Sequence, residues 1–133
     1  MQRVFLDANI IFSSAYREKA GLLRIWRLPG VDLVTSNYAS QEATVNLSEP
    51  AQRERLMLLL DSIVVMPHSS TLPDLPHGMS LPVKDMPIFQ AAMSAGASVL
   101  LTGDVAHFGR YFGNTIAGIR ILTPADFLRE FKA

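Results

Sequence analysis

Hydrophobic positions along this chain follow two rhythms that alternate. Ile88, Ala91, Ala92 and Ala95 recur at i, i+3, i+4 and i+7 and predict a helix buried along one face. Gly96 should stop that helix. Ser98-Val99-Leu100-Leu101 then forms an unbroken apolar run, the pattern of a short strand buried on both faces. Arg3 to Leu6, Val31 to Val34 and Ile63 to Met66 read as earlier strands, and Gly118 to Leu122 as a fifth whose alternation suits a sheet edge. Helical spacing falls between them. Phe12, Ala15 and Tyr16 mark one helix. Leu22, Ile25 and Trp26 mark a short second one, broken at Pro29-Gly30. A third is capped by Ser36 and runs to about Leu47. A fourth opens at Ser48 and Pro50, with Leu56, Leu59, Leu60 and Ile63 as its inner stripe. Thr123-Pro124-Ala125-Asp126 resembles a capping box for a last helix carrying Phe127, Leu128 and Phe131. Strand-helix alternation of this kind predicts an α/β fold: a three-layer α/β/α sandwich around a central parallel sheet of about five strands.

At 133 residues the chain is sized for a single domain, 1–133. No apolar run reaches membrane-span length, and a strand-like run already under way at residue 4 predicts that these residues are not a signal peptide. The absence of cysteine excludes disulfides and thiolate metal sites and fits a cytoplasmic protein. The formal net charge of zero gives no global basic signature for nucleic acid.

The acids change that picture. Asp7 directly follows the first strand and Asp104 follows Leu101-Thr102-Gly103, so parallel strands put both at one sheet edge, where open α/β sheets bind ligands. Asp85 lies one turn before Ile88 on the inward face of its helix. Tyr38, Glu42 and Val45 are spaced i, i+4 and i+7, so Glu42 occupies a place where that pattern wants an apolar group. Four converging carboxylates repel one another unless cations join them, and hard oxygen donors suit Mg²⁺ or Mn²⁺. Two such ions can activate a water and steady the leaving oxygen of a phosphodiester. With those four subtracted from the 12 acidic groups, 8 remain against 12 basic ones, leaving a mildly basic surface.

Taken one at a time, the same residues have plainer readings. Asp85 ahead of Met86-Pro87 is a helix cap, Asp104 after a glycine is a turn residue, and Glu42 is a surface residue on a misplaced stripe. Asn9 is a local cap and Thr102 a turn hydroxyl. His68, His77 and His107 share no metal spacing and default to loop surface. The six methionines read as core filling, and Arg17, Arg24, Arg27, Arg53, Arg55 and Arg110 as solvated. Pro67 to Pro82 holds four prolines without periodicity and is either an ordered border of the site or a mobile flap.

As a set, Asp7-Ala8-Asn9, Glu42, Lys84-Asp85 with Pro87-Ile88 and Ala91-Ala92, and Leu101-Thr102-Gly103-Asp104 before His107-Phe108 resemble the PIN-domain nucleases, most of all the VapC-type toxins. The likeness covers essentially the whole chain. It implies endonucleolytic cleavage of RNA by a metal-activated water, with Asp7, Glu42, Asp85 and Asp104 as catalytic metal ligands for Mg²⁺ or Mn²⁺. Asn9 and Thr102 match positions that support the first aspartate. It also implies a homodimer and a small antitoxin partner; Leu22, Leu23, Ile25, Trp26 and Leu28 offer apolar surface for pairing, unless Trp26 fills the chain's own core. Two alternatives stand beside this reading: an RNA processing or decay nuclease without an antitoxin, and a metal-dependent phosphatase. The phosphatase pattern wants a second aspartate two residues after the first, where this chain has Asn9.

Overall fold

The computed structural model describes residues 1–131. In chain order the elements are β1 (Gln2–Leu6), α1 (Ala8–Ala15), a 3₁₀ segment (Gly21–Arg27), β2 (Val31–Ser36), α2 (Asn37–Asn46), α3 (Pro50–Asp61) and β3 (Val64–Met66). The chain continues through α4 (Met86–Ser94), β4 (Val99–Leu101), α5 (Val105–Phe108), a 3₁₀ turn (Gly109–Tyr111), β5 (Thr115–Ile116), β6 (Ile119–Leu122) and α6 (Pro124–Arg129). The sheet order is β3-β2-β1-β4-β6-β5. The first five strands in that order are parallel, and β5 pairs antiparallel with β6.

Side-chain alternation along the strands builds two cores. Val4 and Leu6 of β1 and Val99 and Leu101 of β4 face one cluster with Ile10, Ile11, Leu56 and Phe127. Phe5, Val34 and Leu100 face the other with Ile88, Phe89, Ala92 and Phe108. Helices α1, α3 and α6 therefore cover one face and α4 and α5 the other, the expected three layers. Helix α2 sits across the division, with Ala43 and Leu47 in the first cluster and Ala39 in the second.

Local signals explain the boundaries. The Ser36 hydroxyl accepts from Ala39 N at 3.1 Å and opens α2, and Thr123 accepts from Asp126 N at 3.2 Å and opens α6. At the far end of α4, Gly96 adopts φ +68° while Ala97 N donates to Ala92 O, so the chain turns directly into β4.

Several expectations are corrected. The five expected parallel strands are all present, but β6 is not the edge, because the added antiparallel strand β5 covers it. The stripe Tyr38-Glu42-Val45 is misplaced: Val45 is 74% exposed, and α2 buries Ala39, Ser40 and Ala43 instead. The residues offered for dimer pairing divide: Ile25, Leu22, Trp26 and Leu28 pack in or against the chain's own core, and Leu22, Leu23, Trp26 and Leu28 stay half-buried at the surface. Ile25 is buried, Trp26 donates to the Leu59 carbonyl at 3.2 Å, and Leu22 and Leu28 lie against the first core. Met57 is exposed, and Met66, Met79 and Met93 only flank a core. Two of the arginines read as solvated also hold carbonyls, the exposed Arg53 that of Leu47 and the half-buried Arg55 those of Ala15 and Tyr16. The Pro67–Pro82 stretch is tied down. Leu75, Met79 and Leu81 pack on the second core, Gln90 donates to the Pro73 carbonyl, and Tyr111 holds Ser80. None of the helices among the described residues is long and apolar enough to cross a membrane.

Candidate metal centre

Chain order reverses between β1 and β4. From β1 the chain builds outward through β2 and β3, then crosses back to β4 on the other side. Such a switch point opens a crevice beyond the carboxyl ends of the two strands. Leu6 pairs with Leu101, so the residues that follow them, Asp7 and Thr102, emerge side by side.

Asp7 is buried and heavily hydrogen-bonded. Its Oδ1 accepts from Ala8 N at 2.6 Å, capping α1. Its Oδ2 accepts from the Thr102 hydroxyl at 2.8 Å and from Asn9 Nδ2 at 3.2 Å. Asn9 also accepts from Gly103 N at 2.8 Å, which fixes the Thr-Gly-Asp turn against α1. Asp104 caps α5 by accepting from His107 N at 3.1 Å. Asp85 precedes α4 but makes no capping bond; the Asp85 N–H and Met86 N–H are held by the Pro82 carbonyl. Its side chain turns inward instead, and Oδ2 is buried without a hydrogen-bond partner.

These residues meet in one cleft of about 390 Å³ whose walls include Asp7, Asn9, Glu42, Lys84, Asp85 and Asp104. Sequence placed all four acids at one end of the sheet, and the fold brings all four to this cleft. Glu42 arrives there from the side of α2 rather than from its buried stripe. His107 is the residue the sequence reading missed. Its Nδ1 lies 2.8 Å from Asp104 Oδ2 and 3.0 Å from Asp85 Oδ2, so it is not loop surface. The one signal was its i+3 spacing from Asp104, which places both on one side of a helical turn. His68 and His77 are exposed, as expected.

Electrostatics follow from the crowding. Burial pushes the Asp7 carboxyl above its ordinary range; the Thr102 and Ala8 bonds oppose this, and the charges of Asp85 and Asp104 add to it. Glu42 is raised by burial and then by Asp7 and Asp85, against a pull from Lys84. Asp85 is raised by burial and by Asp104, against His107 and Lys84. Even the Tyr38 phenol is raised, through burial and then Glu42, Asp85 and Asp7. The ionised forms of Asp7, Glu42 and Asp85 are thus disfavoured by burial and then by their acidic neighbours, and a bound cation would relieve that. The all-carboxylate set and the orphaned Asp85 Oδ2 fit a hard divalent ion.

A scan of protein-family models and a search of curated proteins both find no match. Solved structures do match. VapBC2 from Rickettsia felis, bound to a DNA fragment from its promoter, aligns with a TM-score of 0.70 at 14% identity, over 92% of this chain and 98% of that one. FitAB bound to the IR36 DNA fragment aligns at 0.60 and 17%, over 91% and 94%. Mycobacterium tuberculosis VapC20, a sarcin-ricin loop cleaving toxin, aligns at 0.55 and 17%, over 76% and 91%. The chain has the PIN-type fold. At these identities the likeness speaks for architecture, and the chemistry has to be argued from the cleft.

Proposed function

We propose that this chain is a divalent-metal-dependent endoribonuclease, one PIN-like domain over residues 1–133, acting in the cytoplasm as the toxin of a type II toxin–antitoxin pair. One observation carries the reading: carboxylates from four separate elements share a cleft at the switch point, and one buried oxygen among them accepts no hydrogen bond. In the proposed arrangement Asp7, Glu42, Asp85 and Asp104 hold Mg²⁺ or Mn²⁺. Thr102 and Asn9 act as positioning residues that fix the Asp7 carboxylate. Lys84 lies on the cleft wall and offers a cation to an incoming phosphate. The bound ion supplies Lewis acidity and lowers the pKa of water for attack on a phosphodiester. Hydroxyl and thiol nucleophiles are missing from the cleft walls among the described residues, and carboxylates engaged as metal ligands would not be free to attack, which favours direct hydrolysis over a covalent step.

Similarity to VapBC2, FitAB and VapC20 supports the toxin role, an antitoxin partner and an RNA loop as target. Single-stranded or loop RNA suits a cleft that must receive a bent backbone. Homodimerisation belongs to the same reading, and light scattering at micromolar concentration measures it. The deciding assay incubates the purified chain with single-stranded and hairpin RNA in Mg²⁺, Mn²⁺ or chelator. Products with 5′-phosphate and 3′-hydroxyl ends, formed only with metal, support the proposal. Cleavage that persists in chelator, or a 2′,3′-cyclic phosphate product, overturns it.

A further inference from the structure

Asp85, Asp104 and His107 each present one donor atom, and the three atoms lie within 4.8 Å of one another. His107 Nδ1 is 2.8 Å from Asp104 Oδ2 and 3.0 Å from Asp85 Oδ2. A ring nitrogen carries at most one proton, and of two oxygens that share it the nearer takes the better bond. Asp104 Oδ2 takes that bond. Asp85 Oδ2 is left buried and unpartnered, on a residue only 9% exposed. Support of Asp104 by a histidine explains the shorter contact and leaves Asp85 Oδ2 with at best the weaker share of one N–H. A cation seated among the three atoms accounts for both.

We propose that His107 is a nitrogen ligand, so that Asp85, Asp104 and His107 form a mixed oxygen–nitrogen site that favours a first-row transition ion over Mg²⁺. The proposal rests on the metal-dependent reading above and adds a donor of a different kind to it. The backbone prepares the ring for this role. Asp104 caps α5 through His107 N, and Phe108 next to it is fully buried, so the turn carrying the imidazole is pinned at both ends. The side chain is 32% exposed. The neutral ring offers the Nδ1 lone pair as donor when its single proton sits on Nε2, and an ion placed among the three atoms would meet that lone pair. Imidazole suits the later transition ions, whereas Mg²⁺ holds to oxygen ligands and keeps its waters.

Binding of Mg²⁺, Mn²⁺ and Co²⁺ to metal-stripped full-length protein is measured by calorimetry at one fixed pH, for wild type, His107→Asn and His107→Asp. Wild type should prefer Co²⁺ to Mg²⁺, and both substitutions should weaken Co²⁺ by about tenfold or more while changing Mg²⁺ far less. Electron spin-echo modulation of the Mn²⁺-loaded wild type should show coupling to a ¹⁴N nucleus that both variants lack, a signature that a merely structural histidine does not give. Circular dichroism checks that the variants fold, and the wild-type spectrum decides the matter if they do not. Bound Mn²⁺ without ¹⁴N coupling, or unchanged selectivity in folded variants, overturns the histidine ligand and leaves the carboxylate site standing. Wild type that binds none of the three ions removes both.

Discussion

The Thr102 hydroxyl donates to Asp7 Oδ2 at 2.8 Å across the seam where β1 and β4 pair, and both residues are buried. The Thr102 hydroxyl oxygen in turn accepts from Asp104 N at 3.1 Å, so one hydroxyl joins the first and last acids of the cleft. Replacing it with a methyl leaves a buried carboxylate short of a donor. Thr102→Val should therefore lower stability by about 1–3 kcal/mol in chelator, and Thr102→Ser should stay near wild type. Urea midpoints of the two variants make the comparison. Equal losses would mean that the methyl packing, not the hydrogen bond, holds this position.

Asp85→Asn tests the crowding directly. A helix cap was the plain reading of Asp85, yet its side chain caps nothing and one oxygen has no partner. Removing its charge relieves repulsion with Asp104 and breaks no hydrogen bond that the fold relies on. The metal-free variant should melt at or above the wild-type temperature, the usual exchange of stability against function at a site. Its response to saturating Mn²⁺ should shrink and RNA cleavage should disappear. An active variant with a full Mn²⁺ shift would take Asp85 out of the site.

The pH dependence of the metal-free protein should run opposite to that of a protein held by salt-bridged acids. Asp7, Glu42 and Asp85 all have raised folded-state pKa values, so the folded chain holds more protons than the unfolded one just above the ordinary carboxylate range. The unfolded state binding fewer protons makes stability fall as pH rises. The contribution of these groups is thus fully present below about pH 4 and is lost as pH climbs through their folded-state values. Thermal melts in chelator should show this decline, a shallower one for Asp85→Asn, and a flatter profile once Mn²⁺ competes for the carboxylates. A rise in stability with pH across the same interval in wild type would refute the shared repulsion.

What the chain discloses about itself depends on the range over which each signal acts. The parallel strands, their buried runs and the caps at Ser36 and Thr123 are local, and each was readable. Asp7 and Asp104 were readable because their position after a strand fixes where they emerge. Strand β5 was not. It has two residues, and its hairpin turns on Ala117 (φ 52°) and Gly118 (φ 79°), without the Asn-Gly or Asp-Gly pair that marks such turns. Glu42 was found for the wrong reason, since the stripe that pointed to it faces solvent at Val45 and the true buried face is made of small residues with little periodic contrast. His107 was missed because one of its two partners, Asp85, lies far back in the sequence, and the local one, Asp104, reads by itself as an ordinary cap.

The proline-rich border supplies the final test. The Tyr111 hydroxyl accepts from Ser80 N at 2.9 Å and donates to Ser80 O at 3.2 Å, two bonds from one buried ring to an otherwise irregular stretch. Leu75, Met79 and Leu81 hold the same stretch through apolar packing that the hydroxyl does not touch. Tyr111→Phe keeps the ring in place and frees both polar groups of Ser80, which is exposed and can bond to water instead. The loss should be about 0.5–1.5 kcal/mol and confined to local opening. Amide exchange around Ser80 should quicken by up to about tenfold, while the melting temperature and the exchange of β1 and β4 stay unchanged. Pro82 is the outer limit of the effect, because its carbonyl is held by Asp85 N at 2.9 Å. The Mn²⁺-induced shift should therefore survive. Unaltered exchange at Ser80 would show that packing alone fixes the border. Loss of the Mn²⁺ response would instead mean that the border and the metal cleft form one cooperative unit.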